Sequence, residues 1–349
     1  MHAVQYTDHG GRDVIAYDDF PDPDPGPDEA LVDVKAGALN HLDIWTRGGL
    51  PGLETDLPHV PGSDAAGVVE AVGDDVTRFG PGDRVAVTAG VSCGDCEFCR
   101  AGEESMCVDF HIIGEHTQGV HSELAAVPED NLVPVPEGVD WETAAAAPLV
   151  FQTAWRMLIT RADVTAGETV LVLGASGGVG HAAVQIADFA GAEVIATASS
   201  EEKLDYAREI GADETVDYTA VDSFAEAVRE RTDGRGVDVV VDHIGADTWS
   251  DSLASLAKGG RLVTCGATTG ANPETEIRRI FWNQLSVLGS TMATPGEVDD
   301  VLAKVWDGTF EVRVRETLPM SETARAHELI EDREGFGKVV VVPDSEYES

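Results

Sequence analysis

Residues 169–180 read TVLVLGASGGVG. Thr169 to Leu173 have high strand propensity and no charge, Gly174 to Gly180 form a glycine-rich turn, and the following HAAVQIADFAG spaces its apolar residues as a helix does. A strand that passes through a tight turn into a helix opens a βαβ unit. In such a unit the glycines let backbone approach a pyrophosphate, whose charge lies at the positive end of the helix. Ala175, Gly177 and Gly180 take the three fingerprint positions, with Gly174 just ahead, so Gly174, Ala175, Ser176, Gly177, Gly178, Val179 and Gly180 are the candidate phosphate cradle.

Downstream, AEVIATA, VDVVVDHIG, RLVTCGA and LSVLGS alternate with the helical EEKLDYAREIG, FAEAVRERTDG and WSDSLASLAKGG. The alternation predicts a parallel sheet covered by helices on both faces. Upstream, to about Val150, short apolar runs such as EALVDVKAGAL and GDRVAVTAG are broken by Pro, Gly and Asp, which predicts a β-rich domain. WETAAAAPLVFQTAWRMLITRA reads as the helix joining the two. After about Ser290 a helix, a strand, another helix and the closing KVVVV have no evident core of their own and are expected to rejoin the first domain. The expected class is α/β in two domains, 1–150 completed by 291–349 and 151–290; 349 residues are ample for two cores.

Charge limits the partners. There are 64 acidic and 23 basic residues, a formal net charge of −41, which repels nucleic acid and anionic membranes. The acids are spread along the chain, so an acidic surface suited to concentrated salt, that of a halophile, is expected; an acidic protein of an ordinary cytoplasm is the alternative. No apolar run approaches twenty residues, and MHAVQYTDHGG lacks a basic-then-apolar leader pattern, so a cytoplasmic protein is expected. Four of the five cysteines fall in CGDCEFCRAGEESMC, as Cys93, Cys96, Cys99 and Cys107. Four thiolates at this spacing close a tetrahedral zinc site with no open position, hence a structural one; an iron–sulfur cluster fits less well, since no other redox centre is suggested.

The cysteine lobe, the β-rich first half, GASGGVG, VPGSDAAGVVEAVG, GDRV, GGRLV and FGKVVV together resemble the medium-chain dehydrogenase/reductase family, the zinc-containing alcohol dehydrogenase superfamily, over essentially the whole chain. The resemblance implies a GroES-like catalytic domain, a Rossmann doubly wound coenzyme domain and hydride transfer to or from a nicotinamide in the cleft between them. It also implies positions for catalytic-zinc ligands, and there the chain departs: they hold Asn40, Ser63 (followed by Asp64) and Leu149. Such residues are not zinc ligands, so a single structural zinc is expected, with His41, His59 and Asp64 as material for an unconventional second site.

Asn40 and Asp43, as Asn-x-x-Asp, and the AxGGVG loop are similar to the quinone oxidoreductase and enone reductase branch. This similarity implies hydride delivery from NADPH to a quinone or a carbonyl-conjugated C=C bond. Without a Lewis acid, the developing oxygen charge needs donors, which Asn40 and Ser63 can supply, while Asp43 orients neighbours or is structural. Trp45, Phe281 and Trp282 are candidate pocket walls, the last two equally candidate core.

At the end of the second strand, where an NAD enzyme carries a carboxylate, this chain has Ala198, then Ser199 and Ser200, with Lys203 in the next helix. These offer donors and charge to a 2′-phosphate, so NADPH is expected, with NADH the alternative because Glu201 and Glu202 adjoin. Gly245, Gly266, Leu288, Gly289 and Ser290, at later strand ends, are expected near the nicotinamide half or as simple strand-ending turns. A small-molecule substrate and a homodimer or homotetramer complete the expectation. The alternatives are an alcohol or sugar dehydrogenase and, from another class, a non-catalytic NADPH-binding protein.

Overall fold

The computed structural model describes residues 1–333 and 335–347. The chain forms two compact units: Met1–Leu149 with the chain from Thr294 on, and Val150–Ala293.

In the second unit six strands lie parallel: β1 (Thr169–Val172), β2 (Glu193–Ala198), β3 (Glu214–Asp217), β4 (Val237–Val241), β5 (Leu256–Thr264) and β6 (Ser286–Gly289), in the order 3-2-1-4-5-6. Central strands of such a sheet are covered on both faces, which is why β1 is apolar without alternation and wholly buried. Leu171, Ile195, Val240 and Leu262 meet in one core, each side chain contributing about 1.5–3 kcal/mol of burial. The order reverses beside β1, and ligands of doubly wound sheets bind beyond the strand ends there.

In the first unit seven strands form one sheet around Glu29–Ala38, which pairs antiparallel with Asp64–Val72, Leu124–Pro128 and Lys338–Val342. Glu29–Ala38 alternates as a half-buried strand should: Val32, Val34 and Ala36 are inside, with Asp33 and Lys35 between them toward the surface. The segment after Thr294 has joined this sheet through Val314–Pro319 and Lys338–Val342.

The long helix read across residues 141–162 is instead two. Trp141–Ala146 ends before Pro148, and Pro148–Trp155 continues into a π-helical stretch, Arg156–Arg161. Proline lacks the N–H an uninterrupted helix needs at that point and is at home where a new helix starts. Among the described residues no helix is long and apolar enough to cross a membrane.

Candidate active site

Three strand ends of the first unit bring together residues far apart in sequence. Asn40 follows Glu29–Ala38 and precedes the helix His41–Gly48, Asp64 begins its strand opposite Ala38, and Lys338 begins the strand that pairs with the same residues. Lys338 Nζ lies 2.5 Å from Asn40 Oδ1 and 3.4 Å from Asp64 Oδ2. Asn40 Nδ2 donates to Asp64 Oδ2 at 2.8 Å, and the Leu149 N–H donates to Asp64 Oδ1 at 3.0 Å. The amide orientation follows from chemistry: ammonium only donates and carboxylate only accepts. Asn40, Asp64 and Lys338 are all buried. Burial pushes the Asp64 carboxyl up and the Lys338 ammonium down, and the charge of each pulls the other back.

Of the positions expected for zinc ligands in the family, Asn40 meets the chain's own cation, Leu149 is joined to it through Asp64, and Ser63 bonds elsewhere. Asn40 directs its amide hydrogens to Asp64 and, at 3.4 Å, to Ala38 O. The fully buried Ser63 donates its hydroxyl hydrogen to Ile113 O at 2.7 Å. Asp43, buried, accepts the Asn40 N–H at 2.7 Å as the third residue of the helix, an N-terminal cap. Desolvation raises its carboxyl to about 6. Beneath them His121 is buried against Gly37 and Gly62 so closely that a Cβ on Gly62 would stand 2.4 Å from its ring, and neither ring nitrogen makes a hydrogen bond of normal geometry. Burial lowers His121 to about 4.

Lys338 and His121 were not among the expected residues. A lysine opening an otherwise all-valine strand, in a chain with five lysines, was the available signal for the first; no pattern marked the second. Of the histidines expected near Asp64, His59 bonds Gly114 O at 3.0 Å, and the exposed His41 lies beside the Trp45 ring, 6.2 Å between centroids.

The cysteine lobe projects from the short antiparallel pair Gly90–Val91 and His111–Ile112. The Sγ atoms of Cys93, Cys96, Cys99 and Cys107 all lie within 4.8 Å of one another, the only cluster of metal-ligating side chains found among the described residues. Tetrahedral zinc, with Zn–S about 2.3 Å, separates its sulfurs by about 3.8 Å, against 3.5 Å between Cys96 and Cys99 and 4.0 Å between Cys93 and Cys99, so the lobe fits the ion with small adjustments. Backbone N–H groups of Cys93 and Asp109 point at Cys107 Sγ at 3.3 and 3.4 Å, and those of Cys99 and Val108 lower the Cys96 thiol, while burial and hydrogen bonds from neighbouring thiols raise Cys99, so the four thiols compete for protons.

In the second unit Gly174 takes φ +58°, Gly177 caps the helix Gly178–Phe189 without a side-chain bond, and a Cβ on Gly180 would strike Gly174 O at 2.2 Å. No side chain caps the first helical N–H groups here, the arrangement in which a helix start can accept an anion. Ala175 is buried and ties the turn to β2 through Thr197 O at 3.0 Å; Ser176 is half-buried.

Past β2, Ser200 caps the helix Glu201–Glu209 and Lys203 Nζ reaches Ser199 Oγ at 3.3 Å. Tyr218, 43% exposed, adjoins them at the end of β3, its N–H on Ala198 O. Gly245 packs against Ala267 and Gly270, and Gly266 against His243 O. Leu288 is half-buried, Gly289 O accepts from Arg161 Nε at 2.8 Å, and Ser290 pairs with Thr264 through its N–H. Phe281 and Trp282 are not core: their helix, Ile277–Asn283, turns them outward at 61% and 76% exposure.

Residues 26–137 match the alcohol dehydrogenase GroES-like domain, and residues 178–307 the zinc-binding dehydrogenase family. Quinone oxidoreductase of Pseudomonas aeruginosa is 35% identical over 97% of this chain and 99% of its own length. The chain belongs to the medium-chain dehydrogenase/reductase family, in its quinone oxidoreductase-like branch. As a medium-chain dehydrogenase/reductase it is an oxidoreductase. An acryloyl-coenzyme A reductase of Sulfurisphaera tokodaii is 32% identical over 96% of this chain and 98% of its own. The crystal structure of an NAD-dependent alcohol dehydrogenase is 45% identical, with a TM-score of 0.94 over 98% of this chain and 99% of that one.

Proposed function

We propose that this medium-chain reductase transfers hydride from NADPH to a quinone or to a C=C bond conjugated with a carbonyl, and that zinc serves only the cysteine lobe. The observation that carries the reading is Lys338. Its ammonium sits within hydrogen-bond reach of Asn40, where a ligand of a catalytic cation belongs, and the accompanying Ser63 and Leu149 offer no ligand to replace it. A cation placed there meets like charge rather than donors, so acceptors already activated by conjugation suit the site better than unactivated alcohols.

Bound NADPH supplies the hydride. The Gly174–Gly180 turn holds its pyrophosphate; Ser199 and Lys203 hold its 2′-phosphate. Asn40 and Ser63, their donors engaged within the protein, act by fixing the wall of the site, while Asp43 fixes the start of the helix His41–Gly48. Cys93, Cys96, Cys99 and Cys107 hold one zinc that braces their loop.

The chain further forms a homodimer through the edge strand β6, beside which Ile277 (70% exposed), Phe281, Trp282 and Val287 stand in the open. Trp282→Asp should leave a monomer in light scattering; an unchanged mass would remove this face as the interface.

A screen of quinones, enones and alcohols with both cofactors, in low and multimolar KCl, tests the reaction. NADPH oxidation by quinone or enone is expected, strongest at high salt, where the acidic surface is screened. Turnover confined to alcohols and lost with a chelator would overturn it. That second reading is favoured by the 45% identity to an NAD-dependent alcohol dehydrogenase. For the cofactor, Lys203→Glu should raise KM for NADPH at least tenfold more than KM for NADH, through lost charge pairing with the 2′-phosphate; equal effects would favour NADH.

A further inference from the structure

The strand order of the second unit reverses between β1 and β4, which opens the crevice where a dinucleotide crosses the sheet. Gly174 stands at the end of β1, and Asp242 and His243 follow β4. The His243 ring faces Gly174: a Cβ built there would lie 3.5 Å from Nε2 and 3.8 Å from Cε1.

The turn carrying this ring is held firmly. Asp242, fully buried, accepts from the N–H groups of Ile244 (2.9 Å) and Gly245 (3.1 Å), from Thr248 Oγ1 on both oxygens (3.0 and 2.9 Å) and from Ser252 Oγ (2.7 Å). Gly245, at φ +101°, is pressed against Gly270 O and Ala267, so any side chain there would displace the turn.

The two ring nitrogens are not equivalent. Nδ1 is buried with no hydrogen-bond partner. Burial also lowers the imidazole pKa, which keeps the ring neutral with one N–H. A buried N–H without an acceptor is a rarer and costlier orphan than an unused lone pair, so that proton belongs on Nε2, the nitrogen beside Gly174.

We propose that His243 is a cofactor-binding residue, its Nε2–H donating to a phosphate or ribose oxygen of the dinucleotide as it passes Gly174. The proposal rests on the dinucleotide reading above. It differs from the role of Lys203 in acting on NADPH and NADH alike, because the 2′-phosphate is not its acceptor.

The test is fluorescence titration of NADPH and of NADH against wild type, His243→Phe and His243→Gln, with melting temperatures checked in parallel. Phe keeps a ring without the donor, and Gln returns an N–H near the Nε2 position; should Phe fail to fold, His243→Asn, too short to reach that position, replaces it. His243→Phe is expected to weaken both cofactors about tenfold, equivalent to about 1.4 kcal/mol, and His243→Gln by less than about threefold. A Phe variant that binds both as wild type does overturns the assignment and leaves the cofactor reading standing. A Gln variant as weak as Phe overturns it too, since packing rather than a donor would then matter. Wild type binding neither dinucleotide would bring down the cofactor reading itself.

Discussion

Two side-chain clusters in the first unit differ in kind, one a set of four thiols and the other built around the chain's own cation. The cysteine lobe gathers four soft donors from one loop, Cys93 to Cys107, and on the proposed reading its sulfurs close on an imported zinc ion. The Asn40–Asp64–Lys338 cluster gathers one carboxylate, one amide and an ammonium from segments up to 298 residues apart, and it brings its own cation. The lobe should therefore answer to chelators and thiol chemistry, and the cluster to the closing of the C-terminal strand onto Glu29–Ala38. On the proposed reading, one of the two places holds a metal ion and the other a buried ion pair between Asp64 and Lys338.

The largest effect expected follows at the lobe. Cys99→Ser should cut bound zinc from about one per chain to almost none and lower the melting temperature by roughly 10 °C. The same substitution should leave zinc-independent features, such as dinucleotide binding, in place. Unchanged zinc by metal analysis, or a second chelator-sensitive equivalent needed for turnover, would erase the contrast between the two places.

Lys338→Met comes next. It leaves Asp64 buried beside Asn40 without its cation, which costs about 3–5 kcal/mol in stability. Adding Asp64→Asn removes the orphaned charge and should restore most of that loss in urea unfolding, so the two substitutions are strongly non-additive. Simple additivity would mean that the ammonium and the carboxylate do not act as a pair.

The difference between the two places also explains what was legible in the sequence. Fold class, the phosphate turn and the cysteine lobe are carried by residues close together in the chain: TVLVLGASGGVG contains its strand, turn and helix start, and CGDCEFCRAGEESMC contains all four thiols. The cluster is non-local. Asn40, Ser63 and Leu149 could be read one at a time as non-ligands, but nothing in each stretch showed that the lysine of FGKVVV would reach the same point. The hydrogen-bond commitments of Asn40 and Ser63 were equally hidden, because Ile113, Ala38 and Asp64 become neighbours only when the sheet forms. Phe281 and Trp282 show the converse: the aromatic pair reads equally as pocket wall or as core, and the sheet edge turns both residues outward.

The smallest of the three effects separates the cluster from the lobe by pH. His121, buried under Lys338 and Asp64, titrates at about 4 in the folded chain because burial disfavours its charge, and the nearby ammonium adds to this against the pull of Asp64. The unfolded value is near 6.5, so the folded state binds fewer protons between these limits. The stability that accompanies the neutral ring is fully present above pH 6.5 and is lost as pH falls toward 4, about 2 kcal/mol of it by pH 5. His121→Leu removes both the titration and two unpartnered nitrogens from a closely packed spot. Its urea midpoint should therefore fall less than that of the wild type between pH 7.5 and 5, under conditions in which zinc content is shown to be constant. Parallel midpoints would mean that His121 carries no proton linkage; the raised carboxyls of Asp43 and Asp64 bind protons more readily in the folded chain, so they gain stability as pH falls and cannot stand in for it.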